Sequence, residues 1–182
     1  MIFDVDAFAH GPIESKIWLC DELEQLGLHV NNVYILGAWS GTMSFLLYAK
    51  KSVDFNRIIN VDLDPVYLAQ SRVINNAIEC NGQLETLCQD CNTIEYPLTP
   101  NNLVINTSTD NIAGSEWYTR IPNGTQIAIQ GRTGGHRDCV QPYSTLDEFD
   151  RAYPMRWQSV LQHCEFVYPD HSYTRFMKIG IK

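Results

Sequence analysis

Val33-Tyr34-Ile35-Leu36-Gly37-Ala38-Trp39-Ser40-Gly41-Thr42, followed by Ile58-Ile59-Asn60-Val61-Asp62, is the stretch on which the fold turns. It reads as a buried strand, a glycine-punctuated turn opening a helix, and a second buried strand ending in an acid. That order is the standard construction for holding a nucleoside. Backbone amides at the turn and helix N-terminus meet the ligand, and an acid about 20 residues further on takes the ribose hydroxyls.

Outward from this stretch, strands and helices alternate. Ser15 is positioned to cap a helix running to Leu26, with Ile17, Leu19, Leu23 and Leu26 at helical spacing and Gly27 as its stop. A nearly continuous apolar strand spans 32–36, as expected of a strand covered on both faces. A helix over 42–50 and a strand over 57–61 follow. Pro65 suits the first turn of a third helix, extending to Ile78. Further strands are expected at 83–88, 103–106 and 125–130, with a short helix between Gly114 and Ile121. Arg132–Pro142 reads as a mobile polar loop, and Ser144-Thr145-Leu146-Asp147-Glu148 as a capped helix start. Glu165–Val167 and Tyr173–Ile181, around the turn Pro169-Asp170-His171-Ser172, read as a terminal hairpin. This pattern predicts an α/β fold: one Rossmann-like domain over residues 1–182, preceded at 1–31 by a segment and helix. Its sheet is mostly parallel with helices on both faces and an antiparallel C-terminal hairpin strand.

With 182 residues, 45% of them hydrophobic and 19% charged, the chain has the composition of one ordered globular domain. Its net charge of −8 disfavours nonspecific nucleic-acid binding, which needs basic surface, and shifts weight to small-molecule or protein substrates. The acidic start Met1-Ile2-Phe3-Asp4-Val5-Asp6 does not resemble a signal peptide, and no run approaches membrane-spanning length. The expectation is a cytoplasmic protein without a membrane partner. Of six cysteines, Cys88 and Cys91 form a C-x-x-C pair, but no second pair completes a zinc pattern. Free thiols near a strand end, and no metal, are expected. His10, His136 and His171 are expected in loops, with no nucleophile and acid in triad order.

The order Ile13-Glu14-Ser15-Lys16-Ile17-Trp18-Leu19, Leu36-Gly37-Ala38-Trp39-Ser40-Gly41, Val104-Ile105-Asn106-Thr107-Ser108 and Tyr173-Thr174-Arg175-Phe176-Met177-Lys178-Ile179-Gly180 spans nearly the whole chain. In that order and spacing it resembles the class I S-adenosylmethionine-dependent methyltransferases, and more narrowly small methyltransferase-like proteins of bacteriophage genomes, which would place it in a host cytoplasm. The resemblance implies S-adenosylmethionine as cofactor and an unidentified methyl acceptor. Gly37 and Gly41 match two glycines of the nucleoside-binding turn. Trp39 stands where the middle glycine is usual, and Leu36 where an acid is. Asp62 matches the acid for the ribose diol, Leu63 lies by the adenine, Asp90 accepts from the adenine amino group, and Cys91 lies against the ring. Lys16 and Glu14 fall where related folds close over the methionine end. Asn106 ends the fourth strand, nearest the transferred methyl, and Ser108 joins it in orienting the acceptor.

Each residue also has a structural reading. The glycines suit a tight turn, Asp64 before Pro65 suits a helix cap, and Asn106-Thr107-Ser108 suit a strand-to-loop turn. Trp117 and Tyr118 suit the core, and Arg175 in an apolar strand requires an acid or a cleft. Two other functions share the scaffold: a binding protein for the same cofactor without chemistry, and an enzyme that cleaves the sulfonium or uses a nicotinamide.

Overall fold

The apolar run of the opening stretch is the core of β1 (His29–Leu36). The structure, a computed structural model, describes residues 3–97, 101–134, 139–169 and 171–182. Successive side chains of β1 alternate between two cores. Val33 and Ile35 join one that includes Leu19, Leu23, Leu47 and Ile58. Tyr34 and Leu36 join another that includes Val61, Val104, Trp117, Ile129 and Phe149. This period of two over continuously apolar residues is what a doubly covered strand requires.

β1 pairs in parallel with β2 (Asp54–Asp62) and β4 (Asn102–Asn106), placing Leu36 opposite Val61 on one side and Asn106 on the other. β3 (Leu84–Cys88) lies outside β2, and β5 (Gln126–Arg132) outside β4. β7 (Ser172–Ile181) runs antiparallel between β5 and β6 (Trp157–Val167), giving the order β3-β2-β1-β4-β5-β7-β6. The chain winds one way from β1 to β3 and then returns to the other side of β1. The crevice between the ends of β1 and β4 is therefore the topological switch point.

The helices are α1 (His10–Leu26), α2 (Thr42–Lys50), α3 (Pro65–Ile74), α4 (Asn76–Cys80), α5 (Glu116–Thr119) and α6 (Leu146–Ala152). Gly27 ends α1 in the left-handed conformation, Asp64 caps α3 by accepting from the Val66 amide at 2.8 Å, and Thr145 caps α6. Ser15 does not cap α1. The helix begins at His10, because Pro12 is tolerated in a first turn where its missing N–H costs nothing. Ser15 is turned inward and donates to the Pro12 carbonyl. His10 is accordingly helical, not in a loop. The expected helix to Ile78 breaks at Asn75, whose side chain is drawn back to the carbonyls of Ser71 and Gly41. β6 begins at Trp157, well before Glu165; as an exposed edge strand it carries too many polar residues for an apolar period to reveal it. Positions 135–138 of the expected mobile loop, with His136, lie outside the described residues. Among the described residues no helix is long and apolar enough to cross a membrane.

A buried polar network holds the helices on the sheet. Ser44 of α2 donates to the Asn60 Oδ1 of β2 at 2.7 Å, and the Asn60 amide donates to the Ser71 Oγ of α3 at 2.8 Å. α3 approaches the turn before α2 so closely that a Cβ on Gly41 would lie 2.2 Å from Ser71 Oγ, and Gly41 is left-handed besides (φ 76°). Gly41→Ala adds overpacking to backbone strain and is expected to destabilise by about 2–4 kcal/mol, read as a lowered urea midpoint at unchanged slope.

Candidate functional site

The turn after β1 lays its backbone across the end of β2. Gly37 and Trp39 both adopt positive φ (60° and 51°). The non-glycine Trp39 is held there by its amide, which donates to the Asp62 Oδ2 at 2.8 Å. Asp62 Oδ1 accepts from the Asp64 amide at 3.0 Å, so the carboxylate is fixed while each oxygen keeps acceptor capacity. At Gly37 a Cβ would make ordinary contacts with Ile112 at 3.7 Å and Ser108 at 3.9 Å, so the need for glycine there comes from its positive φ. The two glycines thus differ, since the need at Gly41 comes from α3.

The Trp39 side chain turns toward the N-terminal segment. Its indole Nε1 donates to Asp4 Oδ2 at 3.0 Å, and its ring meets Tyr67 edge-on. Leu63, just after Asp62, is 69% exposed. Asp90 follows β3 and caps a 3-10 turn over Cys91–Thr93, accepting from the Asn92 amide through Oδ1. Cys91 is buried beside Asp90, and burial first, then the neighbouring carboxylate, pushes its thiol up to about 11. Cys88 is exposed, and the pair are free thiols in unlike surroundings.

Across the switch point, Asn106 ends β4 with no exposed surface. Its Oδ1 accepts from the Ser108 amide at 2.9 Å, while its Nδ2 is buried without a hydrogen-bond partner. An orphaned donor of this kind costs about 1–3 kcal/mol, and among the described residues Trp117 Nε1 and Arg175 Nε share that state. Beside it, Arg175 of β7 donates to the Thr107 carbonyl and lies 3.8 Å from Asp110, which is 1% exposed. The acid anticipated for Arg175 is thus Asp110.

Lys16 lies near both Trp39 and Arg175. The Ser15 carbonyl accepts from Gln130 at the end of β5 at 2.8 Å, seating this turn of α1 over the sheet edge. The Lys16 ammonium lies 5.9 Å from the Trp39 ring centroid, is 8% exposed, and has a single 3.5 Å contact to the Pro12 carbonyl. Burial, reinforced by the Arg175 guanidinium, lowers it to about 7. His10 is exposed and occupied with Glu14 at 3.2 Å, and His171 lies exposed at the hairpin turn.

The fold therefore gathers Gly37, Trp39, Asp62, Lys16, Asn106 and Ser108 around one crevice, with Leu63, Asp90 and Cys91 along its β2–β3 flank. Gly41 stands behind the turn. Asp4, Asp110 and Gln130 were not singled out from the sequence; only the demand of Arg175 for an acid pointed toward one of them. A separate groove of about 610 Å³, whose lining includes Tyr34, Arg57, Ile59, Glu85 and Leu87, lies on the sheet face and contains none of the crevice residues.

No protein-family model and no curated protein matches the chain. Solved structures do. A SAM-dependent methyltransferase from Aquifex aeolicus superposes with TM-score 0.63 at 14% identity, over 98% of this chain and 99% of the other. An rRNA methylase from Streptococcus thermophilus gives 0.56 at 12%, over 90% and 94%. M. capricolum TrmK, in complex with S-adenosyl-homocysteine, gives 0.57 at 11%, over 87% and 66%. At these identities the likeness establishes the fold: the chain has the Rossmann-like architecture of these methyltransferases.

Two outcomes check the site as built. Asp110→Asn strands the buried Arg175 charge and is expected to cost about 3–5 kcal/mol in denaturant unfolding. Iodoacetamide at mildly alkaline pH should alkylate the exposed Cys80, Cys88 and Cys164 while sparing Cys91, read by peptide mass mapping.

Proposed function

We propose that this protein is an S-adenosylmethionine-dependent methyltransferase, acting on a small molecule or protein. The observation that carries the reading is the crevice itself: a backbone-anchored carboxylate, Asp62, on one side of the glycine turn, and the orphaned amide of Asn106 on the other. The residues present suit the cofactor. Asp62 has acceptor capacity left for two ribose hydroxyls, and Gly37 presents no side chain along the turn. Leu63 and Cys91, a neutral thiol at physiological pH, offer apolar cover to an adenine whose amino group Asp90 can accept from. Lys16 offers a charge to the carboxylate end.

The bound cofactor would supply a methyl already activated by its sulfonium, so the protein's contribution is alignment in a shielded crevice. Asn106 would donate through Nδ2 to the acceptor and Ser108 would orient it. The tethering of Trp39 to Asp4 would keep the N-terminal segment over the site and water out of it. The acidic net charge supports a small-molecule or protein acceptor over nucleic acid.

Thermal unfolding with S-adenosylmethionine, S-adenosylhomocysteine or NAD tests this reading. Either sulfur ligand at 100-fold its dissociation constant should stabilise by about 2.7 kcal/mol, and Asp62→Ala should abolish the response; stabilisation by NAD alone overturns the proposal. Transfer of labelled methyl to a component of a host extract separates an enzyme from a cofactor-binding protein. Asn106→Ala should retain cofactor binding while lowering that transfer about 100-fold.

A further inference from the structure

Among the described residues three lysine or arginine side chains are largely withdrawn from water, and two have their charge answered. Lys178 meets Asp150 at 2.5 Å and the Tyr153 carbonyl at 2.7 Å. Arg175 meets Asp110 and the Thr107 carbonyl. Among the described residues Lys16 has no carboxylate partner. The acids on the neighbouring elements are engaged elsewhere: Asp110 of the β4 loop with Arg175, Glu14 of its own helix with His10 and the Tyr168 hydroxyl, and Asp4 of the N-terminal segment with the Trp39 indole, and the charge acting on Lys16 is that of Arg175. Asp62 is anchored to backbone amides. The remaining titratable groups near Arg175 are the Tyr173 hydroxyl, Arg132 and the Cys139 thiol, none of them a carboxylate. An ammonium buried without a counter-charge either gives up its proton or waits for an anion.

We propose that Lys16 takes up a proton when the sulfonium ligand's carboxylate docks beside it, so that proton uptake is coupled to cofactor loading. This rests on the cofactor reading above and adds to it the titrating group and the direction of its effect. The step balances simply: the neutral amine gains one proton from solvent, and the resulting ammonium pairs with the incoming carboxylate. The sign follows. Above pH 7 the empty site holds fewer protons than the loaded one, so affinity falls as pH rises, by about tenfold per pH unit while the loaded lysine stays protonated. A ligand lacking the amino-acid part engages only the nucleoside end and carries no such dependence.

Titration calorimetry with S-adenosylhomocysteine and with 5′-methylthioadenosine, at about pH 8 in buffers of different ionisation enthalpy, reads this directly. The expected result is uptake of about one proton with S-adenosylhomocysteine and none with 5′-methylthioadenosine. Lys16→Met removes a buried charge rather than a contact, so it should fold, with 5′-methylthioadenosine affinity as the check. It should abolish the proton uptake and flatten the pH dependence of S-adenosylhomocysteine binding. Unchanged uptake in the variant, or binding of S-adenosylhomocysteine without uptake, overturns the role of Lys16. Failure of both ligands to bind overturns the cofactor reading itself and this proposal with it.

Discussion

The approach of α3 to the turn between β1 and α2 is the constraint from which the rest of the site follows. Ser71 and Asn75 occupy the space a side chain at position 41 would need, and Asn75 donates to the Gly41 carbonyl. With the turn pinned at this end, its other half crosses the end of β2, and the Trp39 amide reaches Asp62. The carboxylate is thus placed by backbone, which is stiffer than a side-chain partner would be. The same contact explains why Asn60 sits buried in the middle of β2: it bridges α2 and α3 through Ser44 and Ser71, leaving both its amide groups satisfied.

The treatment of buried charge divides structure from site. At Lys178 the chain supplies an acid and the carbonyls at the end of α6, so the cation is absorbed into the fold. Arg175 is answered more loosely and lies next to the crevice. Among the described residues Lys16 and the Nδ2 of Asn106 are left unanswered. Unsatisfied buried groups are costly and therefore rare in a folded chain. Lys16 and Asn106 flank the switch point, where the proposed cofactor and its acceptor would answer both.

Much of the architecture was legible from periodicity. The limits of α2 coincide with the expected 42–50, and the five parallel strands lie at or within a few residues of their expected places; for β1, β4 and β5 the reason is that strands covered on both faces are apolar through their buried length. The misreadings share a cause: polar residues whose partners are remote. Ser15 looks like a cap because the sequence does not reveal that it is buried inside a helix begun earlier. Asn75 looks like one more helical residue because Gly41, its partner, is far away in sequence. The first part of β6 is invisible because an edge strand exposes polar side chains on both faces.

For the site, sequence order alone determined the turn, the acid after β2 and the polar end of β4, since these lie at strand termini that apolar runs define. Only the tertiary structure decided what each residue answers to. Gly41 serves α3 and Gly37 the bend of the turn, Trp39 contributes its amide to Asp62 and its indole to Asp4, Arg175 finds Asp110, and Lys16 finds no acid among the described residues. The physical reason is that local pattern reports which side chains leave water. Whether a buried polar group is satisfied depends on partners brought in by β-sheet order from distant parts of the chain.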